Sequence, residues 1–291
     1  MKSPTHRQSA AATQLLTPFR CHSLQRRTLF LRLGAACLSF FLAAGAASPA
    51  AITVAAAADL KFALQDMAAQ YEKQTGNTVS VTYGSSGNFY AQIQNGAPFD
   101  LFFSADLDYP RQFEAAGLAE SGTLYQYGVG RLVLWVPANS PVDVARRGWD
   151  ALRDPAIRKI AIANPTHAPY GRAAVAALKS AGIYDQITAK LVYGENISQA
   201  AQFVESGNAD AGLLALALAL SPHMQQAGKF WSVPAAAHPP LQQAAIMLKS
   251  SPNKKAARAF LEFVKSPAGR AILEKHGFSS LAPAAPPAKT P

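Results

Sequence analysis

Past residue 37 the 291-residue chain has no cysteine, because its only two, Cys21 and Cys37, both fall in the N-terminal stretch. Acidic residues are missing from that stretch as well. The first fifty residues contain no Asp or Glu, yet they carry Lys2, Arg7, Arg20, Arg26, Arg27 and Arg32 and then the apolar run "LGAACLSFFLAAGAA". A basic, acid-free start followed by a short apolar run reads as an export signal, and Ala44, Ala46 and Ala50 offer cleavage positions of the A-x-A kind. The run is too short to span a bilayer. Residues 1–50 are therefore assigned to a signal peptide, with the mature chain expected to begin between Ala47 and Ile52. The pair Arg26-Arg27 fits twin-arginine export, although basic pairs also precede ordinary Sec leaders. Once both cysteines leave with the leader, disulfides, thiol nucleophiles and cysteine metal sites are excluded from the mature protein.

Charge is sparse, at 15% of residues, and the formal net charge of +10 is largely a property of the leader. With its six basic residues gone, 21 Lys and Arg face 17 Asp and Glu, a balance near +4. A nucleic-acid partner loses its electrostatic support. The remaining stretch of roughly 240 residues suits one large or two modest domains. No internal repeat is evident, and the closing "LAPAAPPAKTP" reads as a disordered Ala/Pro tail over 281–291.

Between these ends the pattern alternates between strand and helix. "ITVAAAA" (52–58) reads as a buried strand, and apolar residues then recur at helical spacing from Leu60 to Tyr71 before Gly76 stops the helix. Val79, Val81 and Tyr83 alternate as a strand, a helix runs from about Gly87 to Gln94, and "FDLFFSA" (99–105) is the next strand. Further strands are expected over 132–136, 159–164, 190–194, 211–218 and 243–248. Helices are expected around Ala174 to Leu178, from Ser198 to Glu205, and in "KAARAFLEFVKS" and "AGRAILEKHG". Such alternation builds α/β sheets covered by helices on both faces, whose ligands collect at the carboxyl ends of strands. Shifts of pattern near Leu132 and Pro239 predict two lobes, the first made of 51–132 plus 237–280 and the second of 133–236, with a cleft between them.

Four strand-to-helix junctions stand out: "AAAADL" (55–60), "YGSSGN" (83–88), "NPTHAPYGRAA" (164–174) and "YGENISQAA" (193–201). A helix start leaves its first N–H groups unpaired and carries the positive end of the helix dipole, which suits a small anion without any formal positive charge. The "GSSG" knuckle taken alone reads first as a flexible turn with a Ser cap, since Gly and Ser are common loop residues and no GxxxxGK[ST] follows it.

The motifs "ITVAAAADL", "GSSG", "GAPFDLFFSAD", "NPTHAPYG" and "SPAGRAILEKHGF" together carry a resemblance to the periplasmic molybdate-binding proteins of ABC importers, from Ile52 to about Phe278. The resemblance implies the two-lobed type II solute-binding fold, a periplasmic location, molybdate or tungstate as ligand, and an ABC permease as membrane partner. It implies a monomer with no cofactor, no catalytic residue and no direct metal-cation ligand. On matching positions it makes Ser86 a donor through both hydroxyl and N–H, makes Tyr170 and Ile197 backbone N–H donors, and places Ser85 and Ala58 behind them. Two positions depart from the family pattern. Asp59 stands where Ser or Asn is frequent, and Ala215 stands where many members have a Tyr. Asp59 is expected to cap the helix that begins at Leu60, folding its carboxylate onto the N–H of Lys61 or Phe62 while its own N–H faces the cleft.

Other function classes find less support in the residues. An enzyme would start from Ser86 as nucleophile, but neither serine lies in G-x-S-x-G. His167, alone in its loop, reads as a surface or hinge residue, and His223, His238 and His276 share no metal-ligand spacing. A ferric-binding protein of the same fold would use phenolates from Tyr83, Tyr170 and Tyr193. Asp100, Asp106 and Asp108 read as ordinary strand-end or helix-cap carboxylates. A partner-binding protein of a third class would need no donors in a cleft.

Overall fold

The computed structural model describes residues 50–280. The expected leader up to residue 49 and the expected tail over 281–291 lie outside the described residues.

The chain first lays down β1 (Ala51–Ala57), α1 (Lys61–Thr75), β2 (Thr78–Gly84), α2 (Ser86–Gln94), β3 (Leu101–Ser104), α3 (Asp108–Ala115) and β4 (Tyr125–Gly130). It crosses at Arg131 into β5 (Leu132–Pro137), α4 (Val144–Arg147), β6 (Ile160–Ala163), α5 (Pro169–Ser180), α6 (Tyr184–Ile187), β7 (Leu191–Gly194) and α7 (Ile197–Glu205). The same lobe continues through β8 (Ala211–Ala215), α8 (Leu216–Ala219), α9 (Pro222–Ala227) and β9 (Gly228–Ser232). The chain then returns for β10 (Leu241–Met247), α10 (Lys254–Lys265) and α11 (Pro267–Lys275). Leu132, expected to close the first lobe, instead opens β5 and pairs with Ala215 of the second sheet.

Two five-stranded mixed sheets result, ordered β2-β1-β3-β10-β4 and β7-β6-β8-β5-β9. In each, three parallel strands are joined by βαβ crossovers, and two antiparallel strands complete the sheet. The two sheets share one strand pattern although no repeat is visible in the sequence. β1 and β3 sit inside the first sheet and are almost wholly apolar, as strands covered on both faces must be. Ile52, Leu60, Leu64 and Met67 form one core with Phe260 and Leu261 of α10, whereas Leu132–Val136, Ile160–Ala163 and Leu213–Ala215 form the core of the second lobe.

Several expectations are corrected in detail. The stretch 211–218 divides into β8 and a short helix, because alternating Leu and Ala satisfies either geometry once it is buried. β4 and β9 carry too few apolar residues to announce themselves, reading "YQYGVG" and "GKFWS", and α3 was equally unannounced.

Parallel register decides where the loops emerge. Ala57 aligns with Gly84 and Ala163 with Gly194, so adjacent strands end level and their following loops lie side by side at the carboxyl edge. Asp100 secures the opposite edge of the first sheet. Its buried carboxylate accepts from the Thr53 N–H at 2.7 Å and from the Ser251 hydroxyl at 2.6 Å, tying β1, β3 and the approach to α10 together. Asp100→Ala leaves the Thr53 N–H buried without an acceptor, so urea unfolding should show a loss of about 2–4 kcal/mol; a loss under about 1 kcal/mol would refute the anchoring role.

Candidate functional site

The expected site residues all lie at the carboxyl edges of the two sheets, where the lobes meet. Ser85 takes an extended conformation (φ −85°, ψ 145°) as the residue before α2, which makes Ser86 the first residue of that helix. Tyr170 is the second residue of α5, entered through Pro169, and Ile197 is the first of α7. Helix geometry offers no acceptor for an N–H at such positions. Among the described residues the N–H groups of Ser86, Tyr170 and Ile197 have no hydrogen-bond partner. At α7 the capping is selective: the Asn196 side chain accepts from the amides of Ser198 and Gln199 at 3.0 and 3.1 Å and leaves the Ile197 amide alone.

Hydrogen bonds tie the four junctions into a ring. From α2, the Gly87 N–H donates to the His167 carbonyl at 2.9 Å, and the Ser85 hydroxyl meets His167 Nδ1 at 2.9 Å. His167 leads into α5, whose Tyr170 hydroxyl accepts from Gln243 Nε2 at 3.2 Å, and the same Nε2 donates to Asp59 at 2.7 Å. Next to Asp59, the Ala58 carbonyl accepts from the Ser198 hydroxyl of α7 at 3.0 Å. Asn88 of α2 completes the circuit by donating to Glu195, just ahead of α7. The helix starts are thus tied together at the junction of the lobes, with lobe one supplying Asp59 and Ser86 and lobe two supplying Tyr170 and Ile197.

Ser86 is wholly buried, and its Oγ accepts the Ala105 N–H at 2.9 Å. With that lone pair engaged, its own proton remains to be given to something else. Both glycines flanking the serines have steric work. A Cβ on Gly87 would lie 2.6 Å from the Tyr109 hydroxyl and 2.7 Å from the His167 carbonyl, and one on Gly84 would press on the Phe89 ring at 2.9 Å. The knuckle is therefore a packed contact between the lobes as well as a turn.

Asp59 does not do what the sequence suggests. It lies within a 3-10 turn over Ala58–Leu60, and no side chain caps α1 at Leu60. Its carboxyl is buried and reaches across to Gln243, 184 residues away in sequence. Tyr170 and the amides of Asp59 and Leu60 face it, but only the Gln243 bond has full hydrogen-bond geometry, and Oδ1 is buried without any partner. Burial pushes its pKa up to about 6 against the opposing pull of Gln243, Tyr170 and those amides. Burial likewise holds the Tyr170 and Tyr127 hydroxyls well above their ordinary value, with the Asp59 charge adding to the effect.

Gln243 was not anticipated, although a fully buried Gln inside the apolar strand β10 is the signal that could have exposed it. Its Oε1 accepts from the Tyr127 hydroxyl at 2.8 Å, so both ends of the amide are engaged. Gly130 makes room for the pair, since a Cβ there would collide with both the Tyr170 hydroxyl and Gln243 Nε2. His167 and Ser198 are also additions to the expected set, and His167 proves to be a half-buried bridge between the lobes.

The rival arrangements find less support. Ser86 has no imidazole or carboxylate partner among the described residues, so nothing would activate it as a nucleophile. Ser85, His167 and Glu195 do lie in sequence of contact, but the Glu195–His167 separation is 3.7 Å, Glu195 is also held by Asn88, and Ser85 is sealed between the lobes. The three tyrosines needed for ferric ligation do not converge: Tyr193 is 47% exposed and the Tyr83 hydroxyl donates to the Lys61 carbonyl at 3.2 Å. Asp106 accepts the Tyr109 amide at the start of α3 and pairs with Arg172 across the lobes.

Known proteins share this fold and much of this sequence. A sequence profile described as bacterial extracellular solute-binding protein matches residues 52–279. The molybdate-binding protein ModA of Azotobacter vinelandii is 38% identical over 237 residues, covering 81% of this chain and 93% of that protein. The solved structure of the Azotobacter vinelandii periplasmic molybdate-binding protein superposes with a TM-score of 0.74 at 36% identity, over 80% of this chain and 99% of the other. A Clostridium difficile substrate-binding domain, assigned to a molybdenum ABC transporter, gives a TM-score of 0.61 at 29% identity, over 80% of this chain and all of that one.

The raised pKa of Asp59 has a consequence for the unliganded protein. Folded, the group binds its proton more tightly than the unfolded reference near 3.8, so its contribution is fully present below pH 3.8 and is lost as pH rises through about 6. The full loss is about 3 kcal/mol. Asp59→Asn does not titrate, so between pH 4 and pH 7.5 its urea-unfolding free energy should improve relative to the native chain by about 2–3 kcal/mol. An unchanged difference between the two pH values would show that Asp59 titrates normally.

Proposed function

Since the chain belongs to the bacterial extracellular solute-binding proteins, we propose that it captures molybdate or tungstate between its lobes and delivers the oxyanion to an ABC permease. The observation that carries this reading is the set of three unpaired helix-start amides, Ser86, Tyr170 and Ile197, joined by the free proton of the Ser86 hydroxyl. All four donors are neutral; the three amides are fixed by the backbone, and the hydroxyl is held by the Ala105 N–H. They would stabilise a dianion through hydrogen bonds and helix dipoles, and their rigid spacing would measure its size. The names of the relatives support molybdate in particular, since the Azotobacter proteins are named for it. The permease, the periplasmic location and action as a monomer follow from the same kinship and are part of the proposal.

Ser85 and Ala58 act behind the donors. Ser85 fixes His167, and the Ala58 carbonyl receives Ser198, so each aligns a helix start from the opposite lobe. No cofactor is needed for capture and release, because the lobes themselves bring the donors together.

Titration calorimetry with sodium molybdate, tungstate and sulfate tests the assignment. Molybdate and tungstate should bind tightly and sulfate weakly; equal affinity for sulfate, or binding of ferric ion in place of molybdate, would contradict it. In the same assay Ser86→Ala should weaken molybdate binding by about 1.5–3 kcal/mol, the worth of a hydrogen bond to a charged partner.

A further inference from the structure

We propose that Asp59 is a proton-linked ligand group: when a fully ionised oxyanion occupies the cleft, the Asp59 carboxyl is protonated and donates its O–H to the anion, so capture takes up one proton. The inference rests on the oxyanion reading above and adds to it a determinant of selectivity and pH response that the neutral donors do not supply.

The geometry leaves the carboxyl no other settlement. Oδ2 is occupied by Gln243, and Oδ1 is buried and unpartnered at the first of the four junctions that the hydrogen-bond ring ties together. A carboxylate there would face a dianion in a medium of low polarity with no cation to offset it. From α5 and β4 the facing titratable groups are Tyr170 and Tyr127, both neutral at any pH in the physiological range because burial raises them. From β10 comes the neutral Gln243. From β2, Tyr83 is raised to about 12 by burial and bonds to the Lys61 carbonyl. The Lys61 ammonium on α1 lies over the Phe62 ring, 5.6 Å from its centroid. From α7 comes the Ser198 hydroxyl, already given to Ala58, while Glu195 ahead of it is engaged by Asn88 and His167. The short α8 packed against the turn offers only Leu and Ala. Among the described residues no cation faces Asp59, which leaves a proton to neutralise it.

Protonation turns an obstacle into a donor. The proton comes from solvent, forms an O–H bond on Oδ1, and is shared with an oxygen of the anion, with no other bond changed. Because the free group already holds its proton weakly near neutrality, raised by burial to about 6, the coupling should appear as affinity that is flat in acid and falls about tenfold per pH unit above it. Oxyanions that keep a proton of their own present a different case, since an ionised Asp59 could accept it.

Calorimetry of native protein with sodium molybdate at pH 8, repeated in buffers of different ionisation enthalpy, reads the proton directly and needs no variant. Uptake near one proton per anion, with a tenfold fall in affinity between pH 7 and pH 8, is expected. Asp59→Asn should abolish the uptake and flatten the profile, and this separates Asp59 from His167 as the acceptor. Native binding with no proton uptake at pH 8, or the same uptake in the Asn variant, overturns the inference while leaving the oxyanion reading intact. Absence of molybdate binding at every pH from 5.5 to 8.5 overturns both.

Discussion

The cleft depends on one constraint: the first amides of a helix cannot be satisfied by that helix. Ser86, Tyr170 and Ile197 carry such amides, and the parallel register of each sheet delivers them level with one another at the carboxyl edge. The residues around them satisfy the neighbouring amides without touching these three. Asn196 takes Ser198 and Gln199, and His167 takes Gly87. A site made this way has no mobile ammonium or guanidinium to reorganise, and its donors are placed as accurately as the backbone that bears them.

The two lobes depend on each other for this arrangement. Lobe one holds Ser86 and Asp59, lobe two holds Tyr170 and Ile197, and the hydrogen bonds that aim them run between lobes. Ser198 to Ala58, Gln243 to Tyr170 and Gly87 to His167 all cross the cleft. Opening the lobes would therefore disperse the donors, and closing them would reassemble the set. Small side chains permit the contact, as Gly87 and Gly130 show by having no space for a Cβ.

Within this neutral set Asp59 is the exception. A buried carboxyl with one oxygen unpaired costs free energy unless it is protonated or engaged. The fold retains it, fixes one oxygen through Gln243, and in turn holds that amide through Tyr127. Such a chain orients the free oxygen as firmly as the amides around it.

Much of the architecture was legible in the residues. The strand at 52–58, the helices that start beside Ser86 and Ile197, and the stop at Gly76 follow from local periodicity and turn chemistry. The particular amides of Ser86, Tyr170 and Ile197 were implied by the family resemblance, whereas local rules locate the four junctions. They failed where burial rather than period decides, as in "LLALAL", which splits between β8 and α8, and in β4 and β9, whose sparse apolar content only makes sense beside a neighbouring strand. The clearest division falls at Asp59. The sequence by itself determined that an acid would stand at the first junction, and local preference predicted a cap for α1 that the structure does not form. Only the tertiary structure decided that the carboxyl would be buried against Gln243 and Tyr170, because its partners arrive from strands and helices more than a hundred residues away, and a charge state is set by the surroundings that folding assembles rather than by the neighbours in the chain.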